Sequence, residues 1–307
     1  VKAVFYSTYG DPGVLEYGDQ PEPKVGPDTV LIEVKAASVN PVDWKVMAGY
    51  LDGAITAHFP AIPGWDVSGV VLQPGPAVPE FSAGDEVMGY VRMDTVGQGT
   101  FAERVAAPVR TLSRKPANLS WAEAATVPLT GLTALQTLDA LDVSSGDTVL
   151  IHNGAGGVGT FAIQIARARG ARVIASASER NHDFLRELGA EPVTYGDGIA
   201  GRVREIAPDG VSAVVDFVGG DDWRASLDVL TRQGRVASIA DADAKERGGR
   251  YVFVRPVAAD LATLADLIEA GEVKPVLAET YPLERAADAF AANMEGHTRG
   301  KIAITVG

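Results

Sequence analysis

The stretch Gly154-Ala155-Gly156-Gly157-Val158-Gly159 follows the short apolar run Val149–Ile151 and runs on into Phe161, Ile163, Ile165 and Ala166 at helical spacing. Strand, glycine turn and helix in that order form a G-x-G-x-x-G site. Its glycines let the main chain approach a pyrophosphate, and the free amides of the first helical turn face the negative charge. The motif alone also describes a loop that merely turns the chain. Three further strand and helix pairs come after it, and with them the expectation is a bound dinucleotide.

The second strand of such a unit ends near the adenosine ribose, and NAD-specific sites place an acid there about 20 residues beyond the turn. Here Arg172–Ala175 runs into Ser176-Ala177-Ser178 and then Glu179-Arg180-Asn181. Ser176 or Ser178 could donate to a 2′-phosphate and Arg180 supplies positive charge, which points to NADPH. Two other readings stand beside it. Ser178 could be only a helix N-cap with Glu179 as first-turn acid and Arg180 solvated, or Glu179 could hold the ribose of NADH, although it comes late for that role. Phe217 and Val218 end one later strand, and Ser238, Ile239 and Ala240 follow another. Carboxyl ends of parallel strands are where dinucleotides bind, so main-chain contacts are expected from both.

The elements that must position these residues are set by a chain of 307 residues, long enough for about two domains, with 46% hydrophobic residues. No apolar run approaches the ~20 residues a bilayer requires, and the start lacks the layout of a signal peptide, so a cytoplasmic protein is expected. There is no cysteine and there are four histidines, His58, His152, His182 and His297, scattered without ligand spacing. That excludes disulfides, thiolate nucleophiles and cysteine-ligated zinc, and no metal is expected. The net charge of −13 argues against a nucleic-acid surface.

Residues 1 to about 122 carry short strand-like runs, Val30–Ala36, Val67–Leu72, Glu86–Tyr90 and Phe101–Ala106, between Pro and Gly turns. From Trp121 the texture becomes helical, with Leu129, Leu132, Leu135 and Leu138. It then alternates, with Val149–Ile151, Arg172–Ala175, Ala213–Val218 and Arg235–Ile239 reading as buried parallel strands. Beyond Pro256 come a helix over 258–270, a strand at Val276–Tyr281, a helix at Leu283–Met294 and a closing strand Lys301–Val306. The organisation expected is α/β: a β-rich domain from 1–122 and 257–307 around an inserted, doubly wound parallel sheet over 123–256.

SVNPVDWK, PGWDVSG, GTFAERV, VPLTGLTA, HNGAGGVG and HTRGKIAI, taken along nearly the whole chain, resemble the medium-chain dehydrogenase/reductase superfamily, and within it the zinc-free quinone oxidoreductase (zeta-crystallin-like) branch. The resemblance implies a GroES-like catalytic domain around a Rossmann domain, an active site in the cleft between them, and a homodimer. Where zinc-dependent relatives place a Cys and a His on the catalytic metal, this chain has Asn40 and Trp65. An indole N–H only donates and an amide oxygen is a poor zinc ligand. Without a Lewis acid, an acceptor carrying its own electron sink is the easier substrate, so a quinone is expected and an enone or 2-alkenal is the alternative. A redox sensor that binds NADPH without turnover is a reading of another class.

The resemblance also implies roles by position. The segment holding Asn40, Asp43 and Lys45 lines the nicotinamide end in the family, with Tyr50 bordering the substrate. Asn40 could donate to a substrate oxygen; Lys45 could bind that oxygen, supply a proton or anchor the cofactor; Asp43 is expected to be structural. If the stretch stayed extended, Asp43 and Lys45 would share one side. Tyr50 could donate a proton or simply wall the cleft. Thr130 could bond the carboxamide or ribose, or cap its helix. Tyr195 falls where NADP-dependent relatives place a tyrosine near the phosphate. Arg299 and Lys301 match a pair that follows the cofactor edge, and a solvated basic turn explains them equally well.

Overall fold

The computed structural model describes residues 1–307 and divides into two compact units. The first comprises 1–129, 256–269 and 275–307, and the second 130–255 with 270–274. Residues 121–129 are tied into the first unit: Ser68 Oγ donates to Trp121 O at 2.6 Å and the Leu129 amide to Asp66 Oδ1 at 2.8 Å. The sequence reading sets the change of domain at 122, where the helical texture begins; the division falls seven residues later because this first helix packs on strands of the β-rich unit.

In the first unit seven strands form one sheet, in the order 277–282, 301–305, 29–39, 66–74, 86–90 and 112–114, with 104–108 also pairing with 29–39. The central strand Thr29–Val39 is rich in β-branched residues, and Val30, Ile32 and Val34 are buried. Val39 sits opposite Ile302 on one side, and Ser38 opposite Asp66 on the other. This register brings the last residues of the central strand, the first of 301–305 and the first of 66–74 to one end of the sheet.

The second unit holds a six-stranded, all-parallel sheet: β1 (Thr148–Ile151), β2 (Arg172–Ala177), β3 (Glu191–Thr194), β4 (Val211–Asp216), β5 (Leu230–Ser238) and β6 (Arg250–Tyr251), in the order 3-2-1-4-5-6. That is the order of a dinucleotide-binding sheet, whose chain reversal lies beside β1. Helices α1 (Gly157–Ala168), α2 (His182–Glu187), α3 (Ile199–Ile206) and α4 (Asp221–Ala225) connect the strands. Leu150, Ile174, Val193, Val214 and Val236, one from each of five strands, pack with Ile199 and Val203 of α3 and Trp223 of α4 in a fully apolar layer. The mixed α/β class expected from the sequence is the class observed. No helix is long and apolar enough to cross a membrane.

Candidate functional site

In the second unit the glycine turn joins β1 to α1, and its glycines are demanded for different reasons. A Cβ on Gly159 would lie 2.2 Å from the Asn153 carbonyl oxygen, and one on Gly154 would lie 2.8 Å from the Ala175 Cβ of β2. Both glycines let α1 close on the sheet. At Gly156 the three atoms nearest a Cβ all belong to the Asn153 side chain, the far end of a flexible group. The protein's own backbone does not require glycine there, whereas a ligand approaching the main chain would. Gly156 is also the N-cap of α1, and the first amide bonded within the helix is that of Thr160, to Gly156 O at 3.0 Å. The amides of Gly157, Val158 and Gly159 precede it and have no partner further back in the helix. A pyrophosphate therefore fits this turn. Asn153 turns the chain with a positive φ of 58°, a conformation Asn tolerates better than most residues.

Beneath the turn lies a buried polar contact. His152 is fully buried; its Nε2 lies 3.0 Å from Ser226 Oγ and its Nδ1 3.4 Å from Ser176 Oγ, while the Asn153 amide donates to that serine at 3.3 Å. Burial lowers the imidazole's affinity for a proton. Ser176, read from the sequence as a phosphate donor, is thus enclosed at the root of the turn. Ser178 is partly exposed and Arg180 exposed, at the N-terminus of the short helical turn 179–181. Ala177 pairs with Thr194 across β2 and β3, so Ser178 and Tyr195 leave the sheet side by side, and Tyr195 is 56% exposed. Ser178, Arg180 and Tyr195 are brought to one sheet end.

The carboxyl ends of β4 and β5 are shaped by a matched pair. Asp216 lies opposite Ser238, whose hydroxyl donates to Asp216 Oδ2 at 2.5 Å. Asp216 Oδ1 accepts from the amides of Val218 and Gly219, and Ser238 Oγ from those of Ala240 and Asp241. Phe217 and Val218 thus lie beyond the strand and not within it. Any main-chain contact that Val218 or Ala240 makes to a cofactor comes from a carbonyl, since each amide is already committed. Ser238 is buried, Ile239 intermediate and Ala240 exposed. Thr130 is buried in the helix Pro128–Ala140.

In the first unit, the residues the register gathers form a buried charged network. Asp66 Oδ2 accepts from Ser38 Oγ at 2.7 Å and from Asn40 Nδ2 at 2.8 Å, and Oδ1 from the Leu129 amide. Lys301 Nζ donates to Asn40 Oδ1 at 2.7 Å and to the carbonyl of Val39. Asp43 Oδ2 accepts from the Asn40 amide at 2.7 Å. Ser38, Asn40, Asp43, Asp66 and Lys301 are all at most 4% exposed. Burial pushes the Asp43 carboxyl up to about 7, against the pull of the Asn40 amide, and raises Asp66 as well. Burial draws Lys301 down to about 8, while the two carboxylates hold it up. Lys301 is therefore no solvated basic turn. It orients the Asn40 carboxamide by occupying its oxygen, so that the nitrogen faces Asp66 and keeps a second N–H in hand.

The stretch after Asn40 is a helix, Pro41–Met47, and this corrects the extended reading. Asn at the N-cap, Pro at the first helical position and Asp43 reaching back to the Asn40 amide are start signals present in the sequence. Two residues apart on a helix, Asp43 and Lys45 face away from each other: Asp43 turns inward and Lys45 is exposed. The helix stops at Gly49, whose φ of 81° reverses the chain. Tyr50 follows, 73% exposed, its ring 6.3 Å from that of Trp44. Lys45 Nζ lies 5.6 Å from the same indole ring, which Asn293 Oδ1 fixes through Trp44 Nε1 at 3.1 Å. Lys45 and Tyr50 thus share one aromatic support, while Asn40 sits apart in the buried network. Sequence reasoning misses Ser38 and Asp66, whose roles come from pairing across strands.

Trp65 is buried against Tyr90 at 6.2 Å between ring centroids, and no group of three or more His, Asp or Glu is placed to hold a metal ion.

A family model described as the GroES-like domain of alcohol dehydrogenase matches residues 26–117, and one described as zinc-binding dehydrogenase matches residues 188–304. The chain is 31% identical to the chloroplast envelope quinone oxidoreductase homolog of Arabidopsis thaliana, over 98% of this chain and 97% of that one. It is 36% identical to the NADPH-dependent alkenal/one oxidoreductase, chloroplastic, of the same plant, covering 99% and 79%. Among solved structures it is similar to the quinone oxidoreductase from Coxiella burnetii, with a TM-score of 0.88, 35% identity and coverage of 100% and 99%. The chain belongs to the medium-chain dehydrogenase/reductase superfamily, in its zinc-free quinone oxidoreductase branch. From the donor set, Asn40 and Trp65 in place of metal ligands and no cysteine, activity should be unchanged by a chelator. Turnover measured before and after chelation checks this, and loss restored by zinc would overturn it.

Proposed function

We propose that this chain is a zinc-independent, NADPH-dependent oxidoreductase that transfers a hydride to a quinone. The observation that carries the proposal is the end-to-end likeness to a quinone oxidoreductase homologue in a chain whose glycine turn spares Gly156 for a ligand. Bound NADPH supplies the hydride. Gly154 to Gly159 and the amides that open α1 hold its pyrophosphate, with Thr130, Phe217, Val218, Ile239 and Ala240 as further contacts. Ser178, Arg180 and Tyr195 take the 2′-phosphate, and Ser176 supports the turn from beneath. On the substrate side, Asn40 donates its remaining N–H to the acceptor oxygen. Lys45 and Tyr50, both exposed on Trp44, are the side chains that can deliver the proton the reduced oxygen requires. A cytoplasmic homodimer belongs to the same proposal, and a mass measurement in solution checks the pairing.

The 36% identity to an alkenal/one oxidoreductase keeps an enone or 2-alkenal as the second acceptor class to test. Loss of NADPH absorbance with a quinone panel and an alkenal panel separates the two. Turnover of neither, with NADPH still bound, would sink the enzyme reading in favour of a redox sensor.

Arg180→Ala tests the cofactor assignment. A charge-assisted hydrogen bond contributes ~1.5–3 kcal/mol, so the NADPH dissociation constant should rise about tenfold or more. NADH, with no phosphate at that point, should hardly respond. Equal loss for both would indicate a fold defect, and no loss for either would return Arg180 to the solvated surface.

A further inference from the structure

The loop after β3 is held by two side chains of neighbouring elements. Arg202, on α3, sends Nε to the carbonyl of Thr194 at 3.0 Å and Nη1 to that of Asp197 at 2.7 Å. Its Nη2 bonds the carbonyls of Tyr195 at 3.2 Å and Gly196 at 2.9 Å. Four consecutive carbonyls thus turn onto one guanidinium. From the other side Asp222 Oδ2 accepts the Gly196 amide at 2.8 Å. Gly196 has a φ of 90°, and its carbonyl also accepts the Ile199 amide at 3.1 Å, so these side chains add to a turn that the main chain closes by itself at one point. The side chain presented by the loop is Tyr195, beside Ser178 at the ends of paired β3 and β2.

We propose that Arg202 is a positioning residue for cofactor selectivity: by clamping the carbonyls of Thr194 to Asp197 it fixes Tyr195 where the 2′-phosphate of NADPH binds. The proposal rests on NADPH being the cofactor. A planar fork with five donors can bridge several carbonyls at once, and a lysine ammonium in its place cannot span them. Arg202 bonds carbonyls and no carboxylate, so its charge also adds to the local field in a chain of net charge −13. The clamp and the field predict different behaviour for the two obvious substitutions.

Dissociation constants for NADPH and NADH, by fluorescence titration of the whole protein, are the measurement. The wild type should prefer NADPH; equal affinities there would overturn the cofactor reading itself and this proposal with it. Arg202→Met should weaken NADPH about tenfold or more, the scale of a lost hydrogen bond to a charged group, with NADH changed less than about twofold. Arg202→Lys keeps the charge and should lose nearly as much NADPH preference as Arg202→Met. In a Tyr195→Ala background either change should add little, because the residue being positioned is gone. Amide exchange at Tyr195 to Asp197 should quicken in both variants. Full preference retained by Arg202→Lys would show that charge alone acts, and the clamp would be overturned. Faster exchange with an unchanged NADPH to NADH ratio would overturn the proposal while leaving the NADPH reading intact. Equal weakening of both cofactors would reduce Arg202 to a support of the fold.

Discussion

Lys301→Met should destabilise the protein steeply, and more so as the pH rises. The substitution removes the one cation from a cluster in which Asp43 and Asp66 are both buried; Lys301 reaches Asp66 through the Asn40 carboxamide and not by a direct ion pair, and leaving a buried charge uncompensated costs up to about 3–5 kcal/mol. The pH dependence comes from the two carboxyls. Asp43 is raised to about 7 and Asp66 is raised too, both above their unfolded value of 3.8, so the folded state binds more protons between those limits. Their contribution is fully present below about 4 and is lost as pH rises through the folded values. Without Lys301 to lower them, both folded values move further up. In the native protein Lys301 itself, held near 8 against 10.5 unfolded, still carries its charge at neutral pH. The stability gap between wild type and variant should therefore hold steady at acid pH and widen once the pH rises through the wild-type carboxyl values, about 7 for Asp43, as denaturant titrations at stepped pH would show. Adding Asp66→Asn should recover part of the loss, since it removes a charge left without its counter-ion. A gap independent of pH would mean that Lys301 contributes only its packing. Turnover adds a second readout. With Asn40 Oδ1 released, the carboxamide is held by Asp66 alone and is less firmly oriented, and kcat should fall even under conditions where the variant remains folded.

How far the fold and the candidate site are legible in the chain depends on the distance over which each feature is made. The glycine turn, its strand and its helix lie within about 20 residues, and their pattern is local; the 3-2-1-4-5-6 sheet grows out of the alternation after it. The buried network is made across 261 residues, from Asn40 to Lys301, and 26, from Asn40 to Asp66. Nothing in the residue types near Asp66 or Lys301 says that three strand ends will meet, so Asp66 carries no local signal and Lys301 reads equally as cofactor edge or solvated turn. Ser176 and Ser238 are ambiguous for a related reason. The Ser176 hydroxyl reads as an exposed donor at a strand end and Ser238 as a main-chain contact, and only the pairing of β1 with β2 and of β4 with β5 turns their hydroxyls inward onto His152 and Asp216. The helix at 41–47 is locally legible, through Asn40, Pro41 and Asp43.

Gly156→Val should abolish dinucleotide binding in a protein that remains folded, while a methyl group at Gly159 should unsettle the fold itself. The contrast arises from what each Cβ would touch. At Gly156 the nearest atoms belong to the Asn153 side chain, which can swing away, and the backbone there, with φ −77° and ψ 171°, suits a β-branched residue. The added isopropyl group then stands where the main chain must approach a pyrophosphate. At Gly159 a Cβ would meet the Asn153 carbonyl at 2.2 Å and the Gly154 Cα at 2.7 Å, both backbone atoms that cannot yield without moving α1 off the sheet. Overpacking of that kind costs about 1–3 kcal/mol or more. Thermal melts and NADPH titrations of Gly156→Val and Gly159→Ala, side by side, are the measurement. The first should keep a midpoint near wild type and show no saturable NADPH binding; the second should melt several degrees lower. Undiminished NADPH affinity in Gly156→Val would remove the turn from the cofactor site. A loss of stability as large as that of Gly159→Ala would show that Gly156, too, is held by the protein's own packing.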